Sequence, residues 1–206
     1  MSGRWFVVLL IVIILSTFLH EVGHGVSATL YGHPVSTGFS RVGDYGRRPG
    51  DPDFRAHLAS YRNPADLGPA VTLILAVLST TALYWVQGSS AITLTAAAAL
   101  ANSMLRLIPL GLAYGALFAT GTLGLEDEIA QGQLWYELSG IPLLRHLPAL
   151  VSGPVSLVCL WYALRGIRLR LRGLTAGALA KSSLAALLAA LPVLELLDRH
   201  LRINWP

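Results

Sequence analysis

Five long apolar blocks limit what this chain can become more than any other feature. They run from Trp5 to about Tyr31, from about Leu67 to Val86, from Ala91 to about Thr120, from about Ile141 to Leu164 and from about Leu174 to Leu197. Crossing the hydrocarbon core of a bilayer takes about 20 helical residues at about 1.5 Å each, so each block is long enough to cross once. A backbone in lipid has no water to bond, and an isolated apolar segment satisfies its own N–H and C=O groups only as a helix. The predicted fold is an all-α integral membrane protein, a polytopic bundle of about five transmembrane helices. Only 13% of the residues are charged, against about a quarter in soluble domains. No polar stretch is long enough for a second, soluble domain, so residues 1–206 form a single membrane domain.

The connections divide into two kinds. Residues 32–64 carry five glycines and five arginines with several turn signals. Loose alternation in "PVSTGFSRVGDYG" predicts a small irregular or β-hairpin element after the first helix, a place where an extended substrate can add as a strand. Residues 121–140 carry Glu126, Asp127, Glu128 and Glu137 and no basic residue. The net charge of +4 comes from fourteen arginines and one lysine, Lys181, set mostly between apolar blocks. That pattern points to contact with the lipid bilayer and its headgroups and to no nucleic acid. The arginines of 32–64 and of "LRGIRLRLRGL" each vote for a cytoplasmic loop, yet five crossings put them on opposite faces. Trp5, Trp85, Trp135, Trp161 and Trp205 lie near block ends, as an aromatic belt requires. The single cysteine, Cys159, sits inside an apolar block and reads as a small buried side chain. Arg4 followed by an apolar run looks like a signal peptide, but no small-x-small cleavage site follows it.

The first block does not end where its polarity changes. "FLHEVGHGVS" continues the helix and introduces His20, Glu21 and His24. Residues four apart lie on one helical face, one above the other. Two imidazoles so placed can ligate one tetrahedral metal, with the glutamate between them as general base. Three ionisable groups together at membrane depth point to function. Gly23 and Gly25 weaken the helix and admit close approach of another backbone. A third ligand is still required. If block one ends on one face of the membrane, block two returns and block three ends on the same face as block one. The acidic group Glu126, Asp127 and Glu128 directly follows block three, so the dense carboxylate cluster falls on the histidines' side.

With H-E-x-x-H in its first membrane helix, the chain resembles the site-2 protease family of intramembrane zinc metalloproteases. "LYGHPVSTGFSRVG" resembles the family's turn-and-strand segment after the motif. "LGPAVTLILAVL", Leu67 to Leu78, resembles the glycine-proline segment that opens the next core helix, and "LRLIP", Leu105 to Pro109, the start of the third core segment. The resemblance covers roughly residues 5–130, the metalloprotease-like core, leaving 141–197 as additional helices. It implies Zn2+ on His20, His24 and Asp127, with Glu126 and Glu128 as alternative ligands, and Glu21 as the catalytic base. The chain departs from the family at Thr72 and Arg106, each in place of an asparagine, and at Tyr114, where a gapless match puts the ligand aspartate. Assigning that ligand to Asp127 requires an insertion. Arg106 becomes a candidate for transition-state or structural support.

The implied activity is a zinc metalloendopeptidase acting on a transmembrane or membrane-proximal protein substrate in a bacterial cytoplasmic (inner) membrane. A separate regulatory or substrate-presenting partner would do the filtering that an appended domain does elsewhere. The alternative is a metal-binding but proteolytically inactive membrane scaffold or partner-binding protein. A metal transporter fits less well, because no second intramembrane ligand cluster lines a path. His33, His57 and His146 read as loop or interfacial histidines, with His57 a spare ligand.

Overall fold

A computed structural model describes residues 2–49, 51–55, 65–123, 126–171 and 173–206. His57 lies outside the described residues. Six α-helices are present among them: α1 (Ser2–Leu30), α2 (Leu67–Trp85), α3 (Ser89–Thr120), α4 (Asp127–Ser139), α5 (Leu147–Arg170) and α6 (Ala176–Asp198). All except α4 are long and apolar enough to cross a membrane. The acidic connection expected after the third block is therefore itself partly helical. A single 3₁₀ turn at Pro142–Arg145 joins α4 to α5.

Local chemistry sets the helix boundaries. Asp66 caps α2, its carboxylate accepting from the Gly68 N–H, and Thr175 caps α6 in the same way through Ala178. Both satisfy N–H groups that a helix start leaves free. Gly121 and Gly140 end α3 and α4 at φ 73° and 70°, a left-handed conformation that costs glycine little. Pro109, Pro154 and Pro192 lie inside α3, α5 and α6 without ending them.

The core joins the first half of α1 to α3, α5 and α6, with Leu9, Leu100, Ile167 and Leu194 buried in it. The small-residue run of α3 is buried at Ala96, Ala97, Ala99 and Ala101, which lets neighbouring helices approach closely. Trp5 is 2% exposed and belongs to this core, not to an interfacial belt. Arg170, near the end of α5, donates to the Leu83 and Val86 carbonyls at 2.6 Å each. It thereby satisfies orphan acceptors at the end of α2, so one arginine of that loop has a packing role besides any topological one.

The hairpin forms as expected, from β1 (Val35–Thr37) and β2 (Val42–Asp44). A third strand, β3 (Ile203–Trp205), comes from the end of the chain and pairs antiparallel with the other edge of β1, Ser36 opposite Asn204. The order β2-β1-β3 leaves β1 with no edge for an incoming strand. Asp198, fully buried at the end of α6, accepts from the Phe39 and Ser40 N–H groups at 2.5 and 3.1 Å and from the Ser40 hydroxyl at 2.5 Å. Arg41 pairs with Glu195 on the same helix. The Trp205 indole donates to the Thr37 hydroxyl at 2.9 Å and packs over Gly25 of α1. These ties put the ends of α1 and α6 at one end of the bundle. Arg41, Arg47 and Arg48, beside this sheet, accordingly lie at the opposite end from Arg168 and Arg170 at the close of α5.

Candidate metal centre

Three elements meet at the centre. His20, Glu21 and His24 come from α1 and are each 7% exposed. His20 and His24 lie about 9–15 Å of helix before Leu30, the last residue of α1, at about 1.5 Å per residue. Asp127 opens α4, and Asp66 caps α2. The Gly-Pro start of α2 makes this approach possible. A Cβ on Gly23 would stand 2.8 Å from the Leu67 carbonyl oxygen and 2.9 Å from the Gly68 Cα, and a Cβ on Gly68 would stand 2.5 Å from the His24 ring. Both glycines are sites of contact in which a methyl group has no room.

The Nε2 atoms of His20 and His24 are 3.0 Å apart. Asp127 Oδ2 lies 3.0 Å from the first and 3.6 Å from the second. Ligands of a tetrahedral ion with bonds of about 2.0–2.1 Å are about 3.3–3.4 Å apart, so all three separations suit one ion. The donor set points the same way. Asp66 Oδ1 lies 2.7 Å from His24 Nδ1, and a carboxylate only accepts, so Nδ1 carries a proton and Nε2 is the nitrogen left for a metal, its lone pair available in the neutral imidazole. That lone pair faces another imidazole nitrogen and a carboxylate oxygen. With both imidazoles neutral, one proton at most serves these three facing atoms, and a cation would satisfy all of them. His20, His24 and Asp127 thus form a buried group able to hold a metal ion.

Asp127 is separated from its two rivals by their surroundings. Burial pushes its carboxyl up, but hydrogen bonds with His20 and then His24 outweigh this and hold it well below the usual range. Burial pushes Glu126 up, and the charges of Asp127 and Glu128 push it further, which makes it the poorer cation ligand. Glu128 is 3% exposed and already engaged, accepting from Arg106 at 3.3 Å and from the Ser152 hydroxyl at 2.8 Å. Arg106 also lies 3.7 Å from Asp127. Through Nη1 it ties α3 to the start of α4, while its buried Nε has no hydrogen-bond partner.

The remaining sequence candidates fall elsewhere. Tyr114 meets His146 at 3.2 Å, away from the cluster. Thr72 is buried and donates to the Pro69 carbonyl within its own helix. Asp66 was missed: an acid just before a Leu-Gly-Pro helix start reads as an N-cap, and its second task on His24 depends on a contact 42 residues away. A cavity of about 340 Å³ reaches Asp66 and Glu128 but is lined by none of His20, Glu21, His24 or Asp127; Leu73, Trp135 and Val151 complete its wall. A larger one of about 510 Å³ lies between α2 and α5 and shares no lining residue with the centre. No protein-family model, no curated protein and no solved structure matches the chain, so the functional reading rests on these residues.

Proposed function

We propose that the protein is a membrane-embedded zinc metallopeptidase that hydrolyses peptide bonds in or near transmembrane segments. The observation that carries the reading is the meeting of His20 Nε2, His24 Nε2 and Asp127 Oδ2 at 3.0–3.6 Å beside a buried glutamate. Two imidazoles and a carboxylate are a ligand set that zinc peptidases use. Zn2+ in such a set supplies Lewis acidity that makes water a nucleophile near neutral pH.

The chain's own residues do the rest. Glu21 follows His20 directly, and no described residue donates a hydrogen bond to its carboxylate. It is free to take a proton from the attacking water and return it to the leaving amine. Asp66 holds the His24 ring in one tautomer. Arg106 fixes Asp127 and Glu128 against α3, which makes it a positioning residue. The cavity that reaches Asp66 and Glu128, walled by Leu73, Trp135 and Val151, has room for an apolar side chain of a substrate. The depth of the two histidines along α1 suits substrates that are themselves in the membrane.

The test is cleavage of co-expressed, tagged single-span membrane proteins, with zinc content measured on the purified enzyme. Wild type should cleave at least one of them, and Glu21→Gln should keep its zinc and lose cleavage. Equal cleavage by Glu21→Gln would refute the peptidase reading. Zinc in both proteins with cleavage by neither would favour a metal-binding scaffold.

A further inference from the structure

At the end of the bundle opposite the metal centre, we propose a binding site for the phosphate group of an anionic phospholipid. A cavity of about 450 Å³ lies there, lined by Arg4, Trp5, Ser89, Thr93, Arg170 and Leu174 among others. Four independent features converge on it. The first is charge. The described residues of 2–5, 86–90 and 165–175 include four arginines, Arg4, Arg165, Arg168 and Arg170, and no acid, because no Asp or Glu occurs before Glu21, between 67 and 125, or between 138 and 194. A phosphodiester brought here meets no opposing carboxylate.

The second is the start of α3. Its N-cap, Gly88, makes no side-chain cap, and the first helical bond is Ile92 N–H to the Gly88 carbonyl at 3.0 Å. The preceding N–H groups have no partner within the helix, and a helix start of this kind favours an anion. The third is Arg4, which is held over that start by a 2.8 Å bond from its Nη2 to the Ser90 hydroxyl. A guanidinium has five N–H donors, so this bond leaves others for phosphate oxygens. The fourth is Trp5. Its side chain lines the cavity at 2% exposure, and its buried indole N–H has no hydrogen-bond partner. A buried donor without a partner is costly, and a ligand oxygen would satisfy it. Leu174 and Ile92 give the cavity an apolar wall. A lipid offers both an anionic head and apolar chains, which a free phosphate does not.

The test is native mass spectrometry of the delipidated full chain in detergent, titrated with phosphatidylglycerol or phosphatidylcholine. One phosphatidylglycerol should bind per chain, about tenfold more tightly than phosphatidylcholine. Arg4→Gln should weaken it about tenfold, the size expected for one charge-assisted hydrogen bond. Trp5→Phe should weaken it by a smaller factor and provides a second variant that keeps the arginines. Arg168→Gln removes the same charge from an exposed arginine of the same end that does not line the cavity, and should leave binding unchanged. Equal binding of both lipids, or equal losses for Arg4→Gln and Arg168→Gln, would overturn the site. Displacement of the lipid by millimolar inorganic phosphate would overturn its assignment to a lipid.

Discussion

Asp66 Oδ1 stands 2.7 Å from His24 Nδ1 while the same oxygen caps α2 through the Gly68 N–H at 3.1 Å. One carboxylate thus holds both the ring of a histidine in the candidate metal centre and the start of the helix packed against it. Replacing such a partner of a ligand histidine costs about 10–100-fold in metal affinity. Asp66→Asn keeps a capping oxygen, so its melting temperature should stay near that of the wild type while its zinc affinity falls in this range. Competition against a chromogenic chelator measures it. Unchanged affinity would show that Asp66 only caps the helix.

The acids at the start of α4 should separate cleanly. Asp127→Asn should lose zinc, because an amide is a poor substitute for an anionic ligand. Glu128→Gln should keep zinc but lose stability. Arg106, 6% exposed, would lack its nearest carboxylate, and breaking a buried ion pair on one side costs about 3–5 kcal/mol. Zinc content and thermal unfolding of the two variants in one detergent distinguish them. Zinc lost from Glu128→Gln and kept by Asp127→Asn would reverse the ligand assignment.

Gly68→Ala tests the close approach of α2 to the metal face. The added methyl would stand 2.5 Å from two atoms of the His24 ring, so either the ring or the helix must move. Overpacking of this kind costs about 1–3 kcal/mol, and the displaced ring should bind zinc more weakly. Gly111→Ala, with open space around its Cβ, serves as the control in the same chelator assay and should bind zinc like the wild type.

The parts of this fold that were legible in the sequence are those written locally. The five helices long and apolar enough to cross a membrane follow from block length, and the facing of His20 and His24 follows from helical period alone. Asp127 was within reach because counting crossings returns α3 to the face where α1 ends. The choice among its neighbours needed the burial of Glu128 against Arg106 and Ser152, which no local pattern encodes. The strand β3 was missed because three residues, Ile203, Asn204 and Trp205, carry no alternation to detect, and their partner lies 168 residues away at Ser36. Asp198 was invisible for a related reason: its three hydrogen bonds go to the turn at Phe39 and Ser40.

That turn gives a further expectation. Asp198→Ala removes an acceptor for three donors, leaving two part-buried N–H groups unpaired, each at the low end of the about 1–3 kcal/mol that a buried one costs. The sheet should loosen while the centre persists. Hydrogen exchange should quicken at Ser36–Ser40, and zinc should remain bound. Exchange as slow as in the wild type would mean that the strand pairing of β3 holds the turn without Asp198.

The most direct test of the central claim is the metal content of the full chain, purified without chelators or metal-affinity resin and measured by elemental mass spectrometry. About one zinc per chain in the wild type, with little in His24→Ala or Asp127→Ala, is the expected result. A wild-type protein that folds, survives added zinc and still holds none would contradict the account, because the facing of His20, His24 and Asp127 would then need another cause.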